Sequence, residues 1–257
     1  MMNQGLYEYL LREQEQPFSG WNFEYLERSG RMAEFPTPWH YQSTIKGYLA
    51  EANTLLDMGT GGGEVLASLS PLPLNSYATE GYQPNVLVAT QRLKPLGVSV
   101  MAIESDDDLP FKDQTFDLII NRHESFNAAE VSRLLQKDGV FITQQVGGLN
   151  DCELNVWLCS QPSQYSNWSL RSAVEQLQEV GLTILDAKDD ISLTRFYDIG
   201  AIVYYLKALK WQVPDFTVEK YFDRLEMIDN LIKEQGYIDI TKHRFLIIAK
   251  KEILTDL

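Results

Sequence analysis

Between residues 53 and 147 short apolar runs alternate with amphipathic stretches, the rhythm of strands and helices wound into a parallel sheet. The apolar runs predict strands at 54–58, 76–80, 98–104, 116–122 and 140–146, each bounded by turn residues. Helical periodicity fills the gaps at 62–69, 84–96 and 128–137, ended by Pro71, Gly97 and Gly139 respectively.

The flanks have a different texture. Residues 1–52 read as helical and aromatic, with Tyr7, Tyr9, Trp21, Phe23, Tyr25, Trp39 and Tyr41. After 147 comes a loop carrying Trp157, Tyr165 and Trp168, then a helix at 169–180 with Ser169 as cap and a strand at 182–187. Val218, Tyr221, Phe222, Leu225, Ile228 and Ile232 recur at helical spacing, which predicts a helix over 218–234 capped by Thr217. A last strand is expected at 245–249. The stretch 188–243, rich in aromatics such as Phe196, Tyr204, Tyr205 and Trp211, is long for a connection and reads as an inserted cap over one end of the sheet. The expected organisation is a single domain: an N-terminal helical cap (1–52), a ligand-binding core (53–147) and the remaining core with its insertion (148–257).

The most informative segment is LLDMGTGGGE, Leu55 to Glu64. An apolar strand runs into Asp57, then Gly59, Thr60, Gly61 and Gly63, then a helix. Glycines belong where the backbone turns sharply off a strand and must pass close to a ligand without Cβ atoms. This is the nucleotide-binding turn of doubly wound folds, with the ligand outside the carboxyl ends of the strands. The dinucleotide fingerprint requires a third glycine at position 64, where the chain has Glu64; the third glycine comes one residue early. The next strand ends in Glu80, 17 residues after Gly63, placed to accept two hydrogen bonds from a ribose diol. A third segment, SDDDLPFKDQTFDLII, spans Ser105 to Ile120.

Together, the acid followed by GxGxG, the distal Glu80 and the acidic Leu-Pro-Phe segment resemble the class I S-adenosylmethionine-dependent methyltransferases, over about 55–146. The ends resemble small bacterial members of unassigned substrate. The resemblance implies a Rossmann-like, doubly wound α/β domain with a seven-stranded, mostly parallel sheet, an antiparallel last strand and helices on both faces. It implies S-adenosylmethionine as cofactor, with Asp57 orienting the glycine loop or holding the amino group through water. Glu80 would bind the ribose, and Gly81 and Tyr82 would flank the adenine. Where the family commonly has Asp at the adenine amino group this chain has Ser105, so either Ser105 or its neighbours Asp106 and Asp107 take that place.

The stretch NRHESF, residues 121–126, ends the fourth strand, a position that faces the methyl group in related enzymes. It has neither the Asn/Asp-Pro-Pro-aromatic sequence used on adenine or amide nitrogens nor a Pro-Cys pair of the kind used on cytosine carbon. His123 is a candidate base near neutral pH, and Glu124 a candidate to orient it or a substrate amine. Asn121 is the candidate for a cofactor contact. Upstream, Arg31, Trp39, His40 and Tyr41 stand where family members fold a helix over the cofactor; their aromatics either cover the sulfonium or form a core seam. His243, beside the last strand, reads as structural.

Composition narrows the partners. Lys plus Arg number 22 against 36 Asp plus Glu, a formal net charge of −14, which works against a nucleic-acid partner and favours a small-molecule acceptor. Cys152 and Cys159 match no zinc spacing, and no metal is expected. No apolar run reaches the roughly 18 residues of a membrane helix, and the N-terminus lacks a secretory pattern, so a cytoplasmic protein is expected. The rival functions are an NAD(P)-dependent oxidoreductase and a protein that binds the cofactor without transferring a methyl group. No motif specifies the acceptor or the oligomeric state.

Overall fold

The structure is a computed structural model that describes residues 3–18 and 23–252. Trp21, counted above among the N-terminal aromatics, lies outside the described residues. In chain order the elements are α1 (Gln4–Glu15), α2 (Glu24–Arg28), β1 (Met32–Glu34), α3 (Tyr41–Leu49), β2 (Thr54–Met58), α4 (Glu64–Ser68), β3 (Asn75–Glu80), α5 (Gln83–Leu93), β4 (Ser99–Ala102) and β5 (Phe116–Arg122). They continue with α6 (Ala128–Leu134), β6 (Leu135–Val146), α7 (Cys152–Leu158), α8 (Leu170–Glu179), β7 (Leu182–Phe196), α9 (Ile199–Ala208), α10 (Val218–Gln235) and β8 (Ile238–Lys251).

Strands pair in the order β1-β7-β8-β6-β5-β2-β3-β4. The pairs β2–β3, β2–β5, β3–β4 and β5–β6 are parallel, and β6–β8 and β1–β7 are antiparallel. Among the described residues this is a Rossmann-like α/β fold with a mixed sheet of eight strands, a correction to the seven, mostly parallel, that were expected. The eighth, β1, has three residues, too few to show a period in sequence. The antiparallel last strand is as expected, but β7 and β8 run well beyond the short strands predicted for them.

A second difference has a local cause. The helix expected to reach residue 137 ends at Leu134, because Leu135 turns extended (φ −65°, ψ 132°) and pairs with Phe116. Gly139 does not cap a helix. A Cβ there would stand 2.9 Å from the Gln136 carbonyl oxygen and 3.0 Å from that of Phe116, so glycine permits the close strand approach.

The chain divides into two compact units. One comprises 38–146, 169–189 and 244–257. Its core joins Trp39, Tyr41, Ile45 and Leu49 to Leu55, Leu118, Ile120, Ile142 and Leu246, all buried. Ser169 caps α8 by accepting from the Ser172 amide, as the sequence indicates.

The other unit comprises 1–37, 147–168 and 190–243. Its core is built on α9, nearly every residue of which is buried, packed with Leu10 of α1, Leu154 and Leu158 of α7, and Phe222, Leu225 and Ile228 of α10. Thr217 caps α10 as predicted. The Tyr7 and Phe222 rings meet edge to face at 5.2 Å. Arg31 makes a two-pronged contact with Asp198 at 2.7 Å through Nε and Nη2 and also reaches Glu13 at 3.1 Å and the Tyr9 hydroxyl at 2.8 Å. Among the described residues no helix is long and apolar enough to cross a membrane.

Candidate functional site

The candidate residues from Asp57 to Glu124 fall in the unit holding 38–146, at the carboxyl ends of β2, β3 and β5 and in the loop after β4. The loop after β2 is pinned through its backbone: the Thr60 amide donates to the Thr79 carbonyl of β3 at 2.9 Å and the Gly63 amide to the Thr60 carbonyl at 3.0 Å. Arg92 of α5 clamps the loop from the side through the Gly62 carbonyl and the Glu64 carboxylate.

The three glycines at 59, 61 and 63 all have left-handed backbones, with φ of 67°, 61° and 80°. Their surroundings separate them. A Cβ on Gly59 would stand 2.2 Å from Glu124 Cγ, and one on Gly63 would stand 2.9 Å from Leu93 Cγ. A Cβ on Gly61 would meet nothing within 4 Å. Two of the glycines are therefore required by the protein's own packing, while Gly61 leaves backbone bare toward open space.

Carboxylates gather around this loop. Asp57 is buried at the end of β2, and burial raises its pKa to about 7, with Glu80 adding to the rise while Thr60 and Arg122 oppose it. Glu80, at the end of β3, accepts from the Tyr82 amide at 2.8 Å; burial raises it against the amides of Tyr82, Gly61 and Gly81. Tyr82 itself is exposed. Asp106 is half-buried and accepts from the Ser125 hydroxyl at 2.6 Å; burial raises it too. Asp107 behaves oppositely: exposed, it accepts from Asn127 Nδ2 at 2.8 Å and from the Ser105 hydroxyl at 3.0 Å, which lower its pKa. Burial raises Glu124, and the negative charges of Asp106 and Glu80 push it further. Asp57, Glu80, Asp106 and Glu124 thus feel one another, an arrangement that favours a cationic ligand.

The end of β5 is organised differently. Asn121 is buried, and its Oδ1 accepts from Thr143 Oγ1 at 2.8 Å and from Gln145 Nε2 at 2.6 Å. Its Nδ2 donates to the Ser125 carbonyl at 3.3 Å, and its carbonyl accepts from the Tyr41 hydroxyl at 2.9 Å. His123, exposed and left-handed at φ 62°, keeps its amide on the Gln144 carbonyl at 2.8 Å. Its Nε2 lies 2.9 Å from Gln144 Nε2, and Gln144 Oε1 accepts from the Trp39 indole at 2.8 Å. His40 serves as the cap of α3, its Nδ1 accepting from the Ser43 amide at 3.3 Å. Trp39 and Tyr41 are both buried in hydrogen-bonded positions, while Arg31 belongs to the other unit. Thr143, Gln144 and Gln145 belong to no motif singled out in the sequence, although three consecutive polar residues closing the apolar run of β6 are visible there.

The Leu-Pro-Phe segment is held by α6. The Leu109 amide donates to Glu130 at 2.9 Å, and Arg133 binds Glu130, the Leu109 and Phe111 carbonyls and Asp113. An open cleft of about 680 Å³ adjoins, lined by Asp106, Ser125, Phe126, Asn127, Gln176 and Glu179 among others.

Comparison with known proteins fits this geometry. Residues 56–143, from β2 to β6, match the family model described as a methyltransferase domain, over 88 of the 257 residues. No curated protein sequence matches the chain. A proposed methyltransferase from Bacillus halodurans C-125 superposes with a TM-score of 0.60 at 16% identity, covering 82% of this chain and 99% of its own. The YcgJ protein of Bacillus subtilis gives 0.57 at 18% identity, covering 83% and 99%. The [4+2]-cyclase SpnF gives 0.51 at 15% identity, covering 82% and 81%, so the shared fold by itself does not specify the reaction.

Proposed function

We propose that the protein transfers a methyl group from S-adenosylmethionine to a small-molecule acceptor, a reading supported by the match of residues 56–143 to the methyltransferase-domain model. The observation that carries the cofactor assignment is the bare position at Gly61 beside the Glu80 carboxylate: one gives a ligand backbone to lie on, the other an acceptor for a diol.

Bound there, the cofactor supplies an electrophilic methyl group on a sulfonium. The chain's own residues bind, align and exclude water. Glu80 accepts from the ribose hydroxyls, and Gly81 and Tyr82 flank the adenine, Tyr82 with an exposed ring. Asp106 takes the adenine amino group in preference to Asp107, whose oxygens are already engaged by Asn127 and Ser105. Asp57 holds the loop and faces positive charge. Asn121 sets the end of β5 through its bonds to Thr143 and Gln145, with Glu124 lying against Gly59 of the loop. A small acceptor is favoured because the net charge of −14 and the gathered carboxylates repel a polyanion. Two free cysteines suit a reducing compartment such as the cytoplasm.

The test is calorimetric titration with S-adenosylhomocysteine and, separately, NAD(H), using Gly61→Arg as control. Micromolar binding of the first alone, lost in the variant, supports the proposal. A folded, ligand-free sample that ignores S-adenosylhomocysteine overturns it, and binding of NAD(H) alone turns the reading to an oxidoreductase.

A further inference from the structure

The contact between Gln144 and His123 carries more information than its distance. Gln144 has one accepting end and one donating end, and which faces which way cannot be read from the shape of the amide. Trp39 settles it. Its indole N–H can only donate, and it lies 2.8 Å from the oxygen end of Gln144. Turned over, the amide would set its NH2 against the indole N–H, donor against donor, with both residues buried. The NH2 end therefore faces His123 Nε2 at 2.9 Å. An imidazole nitrogen facing an amide NH2 must accept, so it carries no proton.

We infer that Trp39 and Gln144 are positioning residues that fix His123 in the neutral form protonated on Nδ1, with its Nε2 lone pair engaged by the amide and so not taking a proton from a bound acceptor. The backbone reinforces the arrangement, because the His123 amide is held on the carbonyl of the same Gln144 and neither residue can slide relative to the other. Proton acceptance within the stretch 121–126 then falls to Glu124, whose side chain lies against Gly59 of the glycine loop. The role toward an acceptor rests on the methyltransferase reading above; the protonation state of the ring does not.

The experiment is nitrogen-resolved NMR of the imidazoles in the full chain at neutral pH. There are three histidines, His40, His123 and His243, and the His123 signals are identified by their loss in His123→Gln. The expected pattern is a protonated Nδ1 and a bare Nε2. A protonated Nε2, a doubly protonated ring or an even mixture of tautomers overturns the inference. Gln144→Glu presents only acceptors to the ring and should move the proton to Nε2; an unchanged pattern overturns the role of Gln144. Trp39→Phe frees the amide to turn and should yield a mixture of tautomers; an unchanged pattern removes Trp39 from the device. If Trp39→Phe does not fold, the wild-type pattern and Gln144→Glu still decide. Titration of the same samples with S-adenosylhomocysteine is read separately, so that loss of the cofactor reading and loss of the tautomer reading are told apart.

Discussion

The two sides of the candidate site are built on opposite principles. On the β2–β3 side, glycine backbone is left bare and Asp57 and Glu80 are buried with their pKa values raised, a costly state for the protein alone. The β5–β6 side is closed by hydrogen bonds: Asn121, Thr143 and Gln145 bond one another, Tyr41 donates to the Asn121 carbonyl, and Trp39 donates to Gln144. The contrast teaches that a binding surface shows itself by what it leaves unmatched, and a support by how completely it is matched.

The largest expected effect comes from filling the bare side. Gly61→Arg should weaken S-adenosylhomocysteine at least about 100-fold by titration, or roughly 2.7 kcal/mol. Its stability should fall by only about 1 kcal/mol, the cost of a left-handed non-glycine residue. An equal loss of folding would erase the distinction between Gly61 and its neighbours. On the closed side the pattern should invert: Asn121→Ala removes the acceptor of the Thr143 hydroxyl and one of three acceptors around Gln145 Nε2, and should cost about 1–3 kcal/mol in denaturant unfolding. Its cofactor affinity should stay within about twofold. Should affinity fall while stability holds, Asn121 touches the ligand and the comparison breaks.

Glu80→Gln keeps the shape and removes the charge, and should lower affinity about tenfold, near 1.4 kcal/mol. The smallest effect is on pH. The buried Asp57 holds its proton up to about 7, and a cationic ligand favours its ionised form. S-adenosylmethionine affinity should therefore rise severalfold as pH approaches 7 from below and level off above it. Asp57→Asn should flatten that slope while a remaining rise would assign it to another group.

This asymmetry also explains what the sequence made legible. The bare side is written in local signs, because a left-handed turn needs glycine and a strand-end acid stands alone: Asp57, Gly61 and Glu80 could be placed by spacing, as could the central strands and the caps Ser169 and Thr217. The closed side joins Trp39 to Gln144 and Tyr41 to Asn121, partners 105 and 80 residues apart, and no local pattern encodes such pairings. The different surroundings of Asp106 and Asp107 were likewise hidden, since Ser125 lies opposite the first and Asn127 opposite the second. The extra strand β1 and the long β7 and β8 follow from tertiary pairing that outweighs weak local preference.

The docking of α1 on α9 also has a consequence for biosynthesis. Arg31 and Asp198 are 167 residues apart, and Leu10 of α1 is buried in a core that α9 and α10 complete. At about 5–20 residues per second, α1 leaves the ribosome roughly 10–40 s before the helix it packs against. Through that interval the surface of α1 that packs on α9 and α10 lacks those partners and stays open in the nascent chain.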